Sequence, residues 1–175
     1  YTEDGNFSLQ TFPYHRSSLD ILITGVGLMH TAYFMGKIFA GTTYDLAINL
    51  GIAGSFHPKI PIGEVVQITE EQVADLGAED KENFLDIVEL HLLNPDQFPY
   101  NSGKLINKSH EVADKILNLK KVRGISVNTA HGNQHSIDKI IQKYHPDVES
   151  MEGAAFFYAC FLENIPCLQL RAISN

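Results

Sequence analysis

The chain predicts an α/β fold: one domain over residues 1–175, arranged as three layers, α/β/α, around a central mixed, mostly parallel twisted sheet. Three observations predict it. Short apolar runs of strand length alternate with runs of helical periodicity, the pattern that builds βαβ units with helices over both faces of a sheet. Most of the apolar runs end in glycine, serine or asparagine, as strand ends do where an open α/β sheet meets its ligand. A chain of 175 residues, 44% hydrophobic and 19% charged, can bury one sizeable core, so a single domain is the expectation.

Taken in order, residues 1–18 are polar and irregular and read as a turn or a hairpin arm. Residues 19–24 form a short strand that ends in Gly25-Val26-Gly27. Leu28, Ala32, Met35, Ile38 and Phe39 recur at helical spacing, which predicts a helix over 28–39 with Gly41 as its C-cap. A strand at 45–49 runs into a tight turn, Gly51-Ile52-Ala53-Gly54-Ser55, and a third strand at 62–69 precedes an acidic loop at 70–82. The segment 83–103, with Asn94, Pro95 and Pro99, has little periodicity and reads as an excursion that covers a site or meets another subunit. Then follow a helix at 109–119 with Ser109 as N-cap, a strand at 122–127, a helix at 136–144, a short strand at 147–150, a helix at 152–163 and a last strand at 166–173.

Composition narrows the partners. Thirteen basic against 21 acidic residues give a net charge of −8, and no Lys/Arg run reverses it locally, so nucleic acid and anionic membrane surfaces are disfavoured. A small molecule or another protein is the expected partner. Cys160 and Cys167 sit in apolar runs without CxxC spacing and read as two core thiols of a reducing cytoplasm. No apolar run reaches the ~20 residues of a membrane span.

Gly25-Val26-Gly27 before a helix invites a dinucleotide reading, but the third glycine is absent and no acid ends the next strand. No cofactor is therefore expected. Eight histidines are present, yet His131 and His135 are separated by Gly132 and Asn133, which argue for a loop, and no metal site is expected. Both glycine turns read as places where backbone comes close to a ligand. Glu152 falls in the first turn of its helix, where it can act as a cap favoured by the helix dipole, or as a ligand carboxylate. Asn175 ends the last strand as a turn former or as a contact.

Together these stretches carry a resemblance. Val148-Glu149-Ser150-Met151-Glu152-Gly153-Ala154-Ala155 resembles the strand-to-helix signature of the nucleoside phosphorylase and nucleosidase superfamily, and Arg171-Ala172-Ile173-Ser174-Asn175 resembles its purine-binding strand end. Gly51-Ile52-Ala53-Gly54-Ser55 is similar to its glycine-rich turn beside the nucleophile, and Gly25-Val26-Gly27 to its first glycine turn. The resemblance implies that Glu152 holds the ribose hydroxyls while Met151 packs on the sugar, and that Arg171 with Ile52, Ala53 and Gly54 bounds the nucleophile. It likewise implies that Ser174 and Asn175 face the base, with Gly27, Asn128 and His131 as further substrate contacts. Ile52 departs from the hydroxyl residue frequent in relatives. The strand that carries the water-activating glutamate in relatives has no counterpart here, so that role goes unassigned. The expectation is that a natural N-terminal strand and C-terminal helix lie outside these 175 residues.

The identity of residue 175 selects a base. A departing purine is stabilised by protonation at N7. A 6-aminopurine then shows two donors, which a carboxylate matches, whereas a 6-oxopurine shows a donor and an acceptor, which an amide matches. Asn175 is an amide, and the expected base is hypoxanthine. Phosphorylases need cations for phosphate, but Leu28 to Thr31 and Ile52 to Phe56 contain no Arg or Lys, so water is the expected nucleophile. An adenine-directed nucleosidase and a catalytically silent purine-binding member remain the alternatives. A homodimer or larger homo-oligomer is expected, because members of the superfamily complete their sites with a neighbour's residues.

Overall fold

The computed structural model describes residues 8–109 and 118–175. The predicted helix at 109–119 lies, but for its ends, outside the described residues. The strands are β1 (Ser8–Tyr14), β2 (Ser17–Ile23), β3 (Ala47–Ser55), β4 (Val65–Val73), β5 (Gly77–Asp80), β6 (Asn83–Asp86), β7 (Leu105–Ile106), β8 (Lys120–Ser126), β9 (Val148–Ser150) and β10 (Cys167–Ile173). Three helices are described, α1 (Leu28–Phe39), α2 (Gln134–Tyr144) and α3 (Gly153–Leu162).

The central sheet is mixed, as expected, and it curls. β3 pairs in parallel with β10, β10 antiparallel with β4, β4 and β9 each in parallel with β8, and β9 returns antiparallel to β3 through Gly54↔Glu149 and Ser55↔Val148. Five strands thus pair in a closed circuit. The circuit draws the carboxyl ends of β3 and β10 against the connection from β9 into α3, which is where the site forms.

Several expectations change. The Gly51-Ile52-Ala53-Gly54-Ser55 run is extended strand rather than a turn, because β10 and β9 supply partners for its backbone on both sides. The acidic loop resolves into the rest of β4 and a β5–β6 hairpin turning at Lys81-Glu82, so Asn83 to Asp86 is strand as well. Residues 8–23 form an antiparallel hairpin outside the central sheet, with Leu22 packed against the core. Ala40, not Gly41, caps α1. α2 starts two residues early because the Asn133 side chain accepts from Ser136 N at 3.0 Å.

Helix α3 is apolar nearly all round and is correspondingly sunk: Ala154, Ala155, Phe156, Phe157 and Cys160 are buried, and all of these but Ala155 join Met35 of α1 with Val66, Ile68, Val122 and Cys167 of the strands. Cys160 and Cys167 are both free and buried, and the hydrogen bond with the Cys167 thiol, aided by burial, pushes the Cys160 pKa upward. On the opposite side of β3, Ile48, Leu50 and Ile52 form an alternate row that stays exposed, Leu50 at 73%.

Candidate active site

Glu152 stands at the N-cap of α3, yet its side chain makes no hydrogen bond to its own helix. Capping is therefore not its role. One carboxylate oxygen accepts from the Gly27 N–H at 3.1 Å, and the other lies 3.6 Å from Arg171 Nη2. Gly27 is at φ 96°, a backbone region that glycine enters without strain, and this geometry turns its N–H toward Glu152. The first glycine turn thus holds a carboxylate of the chain itself. Met151, half-buried, immediately precedes it.

Arg171 comes up from β10 and is only 2% exposed. It lies across Gly51, where a Cβ would stand 1.8 Å from Nη1. Its Nε and Nη2 have no hydrogen-bond partner among the described residues. Burial holds its pKa below the usual arginine value, while Glu152 and Glu71 act in the opposite sense. A buried cation with spare donors beside a half-buried carboxylate is suited to receive an electron-rich ligand atom.

The last two residues extend the pairing with β3: Ser174 N donates to Ala53 O and Ser55 N donates to Asn175 O, both at 2.9 Å. Ser174 Oγ donates to Asn175 Oδ1 at 2.8 Å, which sets the orientation of the amide. Gly54 lets the amide lie close against β3, since a Cβ there would stand 3.0 Å from Asn175 Nδ2 and 3.4 Å from Glu149 Cγ. Ala53 faces the interior, and Ile52, 67% exposed, projects from the other side of β3.

His131 is clamped by Glu149, whose carboxylate accepts from the His131 backbone N–H at 2.9 Å and pairs with Nδ1 at 2.7 Å. A carboxylate only accepts, so Nδ1 carries the hydrogen. The donors of Asn128 are taken up by Asp75, from its backbone N–H and from Nδ2 at 3.1 Å. Gly27, Glu152 and Arg171 are thus brought together, Gly54, Ser174 and Asn175 meet at the ends of β3 and β10, and Glu149 brings His131 beside Gly54, whereas Asn128 and Ile52 are turned to other partners or other faces. Glu149 received no role from the sequence. The available signal was its place in the middle of the short strand 147–150, between Val148 and Ser150, where a carboxylate turned inward is tolerated only when it is partnered.

The curled sheet and a carboxylate aimed from the helix start place the chain in the nucleoside phosphorylase-like class of α/β proteins. The family model described as the phosphorylase superfamily matches residues 2–175, and the chain belongs to that superfamily. Futalosine hydrolase of Streptomyces coelicolor is 29% identical over 167 residues, covering 89% of this chain and 66% of its own length. The chain thus spans just under two-thirds of that relative. A 5'-methylthioadenosine/S-adenosylhomocysteine nucleosidase of Maridesulfovibrio salexigens is 26% identical over 178 residues, covering 98% of the chain and 74% of its own length. Among solved structures, a mutant of the futalosine hydrolase of Helicobacter pylori superposes with a TM-score of 0.80 at 16% identity, over 97% of this chain and 77% of that one.

Proposed function

We propose that the protein hydrolyses the N-glycosidic bond of futalosine, releasing hypoxanthine and dehypoxanthine futalosine, a step of the futalosine route to menaquinone. The observation that carries this reading is the Asn175 amide, oriented by Ser174 past the end of β10 and lying close over Gly54. Oδ1 takes the N7 hydrogen of the leaving 6-oxopurine and Nδ2 donates to O6. Glu152 accepts from the ribose hydroxyls, Met151 packs on the sugar, and Arg171 bounds the place where water attacks. A methylthioadenosine or adenosylhomocysteine nucleosidase is the second reading, favoured by the relative from Maridesulfovibrio salexigens.

Base release from futalosine and from methylthioadenosine, followed by chromatography, tests the choice. Hypoxanthine from futalosine at a kcat/KM at least tenfold above that for methylthioadenosine is expected; the reverse order removes the proposal. A homo-oligomer acting in the cytoplasm belongs to the same reading. A fully active monomer in light scattering would count against the assembly.

A further inference from the structure

Beneath the site lies a carboxylate that the reading above does not use. Glu71 of β4 is completely buried. It points inward because the β4–β8 register shifts between Ile68 and Glu70, which reverses the strand alternation: Ile68 faces the core and then Glu71 does, while Glu70 pairs with Lys104 at 2.7 Å. Two glycines make room for it. A Cβ on Gly124 would stand 2.7 Å from Glu71 Oε1, and one on Gly153 only 1.9 Å from it.

Glu71 holds two elements at once. Gln169 Nε2 of β10 donates to Oε1 at 2.7 Å and Ser126 Oγ of β8 donates to Oε2 at 2.9 Å. Ser126 Oγ in turn accepts the Ala154 N–H at 2.7 Å, an amide in the first turn of the helix that begins directly after Glu152. The charged groups facing Glu71 are Arg171 from β10 and Glu152 from the start of α3.

We propose that Glu71 is a positioning residue of the active site: through Ser126 and Ala154 it fixes the helix start that carries Glu152, and it shares with Glu152 the positive charge of Arg171. The proposal rests on the reading of Glu152 as the ribose carboxylate. Burial, opposed by Gln169, Ser126 and Arg171 and aided by Glu152, pushes the Glu71 pKa up to about 7. With Glu71 protonated, Arg171 has Glu152 as its counter-charge and draws it away from the sugar. With Glu71 ionised, Arg171 is shared, Glu152 is free to accept from the ribose, and a second negative charge lies under the oxocarbenium-like transition state. The ionised form is the faster catalyst.

The test compares the wild type with Glu71→Gln, a near-isosteric change, across about pH 6 to 8, a range centred on that ionisation. Rates are taken on whichever of futalosine and methylthioadenosine the wild type cleaves better, so a wrong choice of base does not count against Glu71. The wild-type kcat/KM should rise with pH to a plateau. In Glu71→Gln the rise should vanish, and activity at pH 8 should be lower by roughly tenfold. Ser126→Ala keeps the carboxylate but cuts the tether to Ala154, so it should lower kcat at every pH by roughly fivefold and keep the inflection. An inflection retained in Glu71→Gln, or wild-type rates in Ser126→Ala, overturns the proposal. If neither nucleoside is cleaved, the pH dependence of methylthioadenosine binding is compared by calorimetry, and identical dependence in wild type and Glu71→Gln, flat included, overturns it as well.

Discussion

At the scale of single residues, what matters is where each polar side chain finds its partners. Glu152 spends its oxygens on Gly27 and Arg171 and none on its own helix, so Glu152→Gln should leave the circular dichroism spectrum intact. It should lower kcat/KM by about 2 to 4 kcal/mol, because a charge-assisted pair with the ribose is lost at the transition state. Unchanged kinetics would reduce Glu152 to a counter-ion for Arg171. Asn175→Asp tests the base. The change replaces an acceptor-donor edge with acceptors alone and turns an oxygen toward O6. Futalosine turnover should fall by about 3 to 4 kcal/mol, or two to three orders of magnitude. The ratio of 6-aminofutalosine to futalosine turnover should rise, since an exocyclic amine can donate to the new carboxylate. Measuring both substrates on both proteins cancels any general loss of stability, and a ratio that stays put refutes the argument from the amide.

At the scale of elements, the first turn of α3 rests on the buried Glu71–Gln169 pair with no atom to spare. Gly153→Ala would bring a methyl to 1.9 Å from Glu71 Oε1 and 2.5 Å from Gln169 Nε2. Both are ends of side chains, but moving them breaks buried hydrogen bonds, at about 1 to 3 kcal/mol for each group left unpaired. Alanine returns at most about 1 kcal/mol of helix propensity. A net loss of roughly 1 to 2 kcal/mol is expected in the urea midpoint, with a larger fall in activity as Glu152 is lifted; a more stable variant would show that the helix can shift freely. The same elements show what could be read in advance. α1, α3 and β10 were legible because their apolar spacing is local, and the Met151-Glu152 and Ser174-Asn175 pairs lay at their ends. The extension of β3 through its glycines was hidden because it depends on β9 and β10, which are distant in sequence. Glu71 was hidden for a related reason: in Thr69-Glu70-Glu71-Gln72 nothing local says which acid turns inward, since the bulge is set by pairing with β8.

At the scale of the whole molecule, the closed circuit of strands traps an acid whose ionisation must be carried by the fold. The Glu71 pKa is raised from 4.5 to about 7, chiefly by burial. Between those values the folded state binds more protons than the unfolded chain, so stability is fully present below about pH 4.5 and falls as pH rises through 7. The expected loss is roughly 3 kcal/mol, after which the curve levels. Asp20 and Glu89 act in the other direction, since hydrogen bonds lower their pKa values, and their contribution is lost only as pH falls below the usual carboxylate range. The two windows are separate. Urea midpoints measured from pH 5 to pH 8 should therefore decline in the wild type and stay level in Glu71→Gln, which at pH 8 should be the more stable protein although the slower one. Such an exchange of stability for activity is what a destabilised active-site group implies. A wild-type midpoint that holds steady or rises over this range, or one that declines equally in Glu71→Gln, would show that Glu71 is charged in the folded protein without cost and that burial is not what governs it.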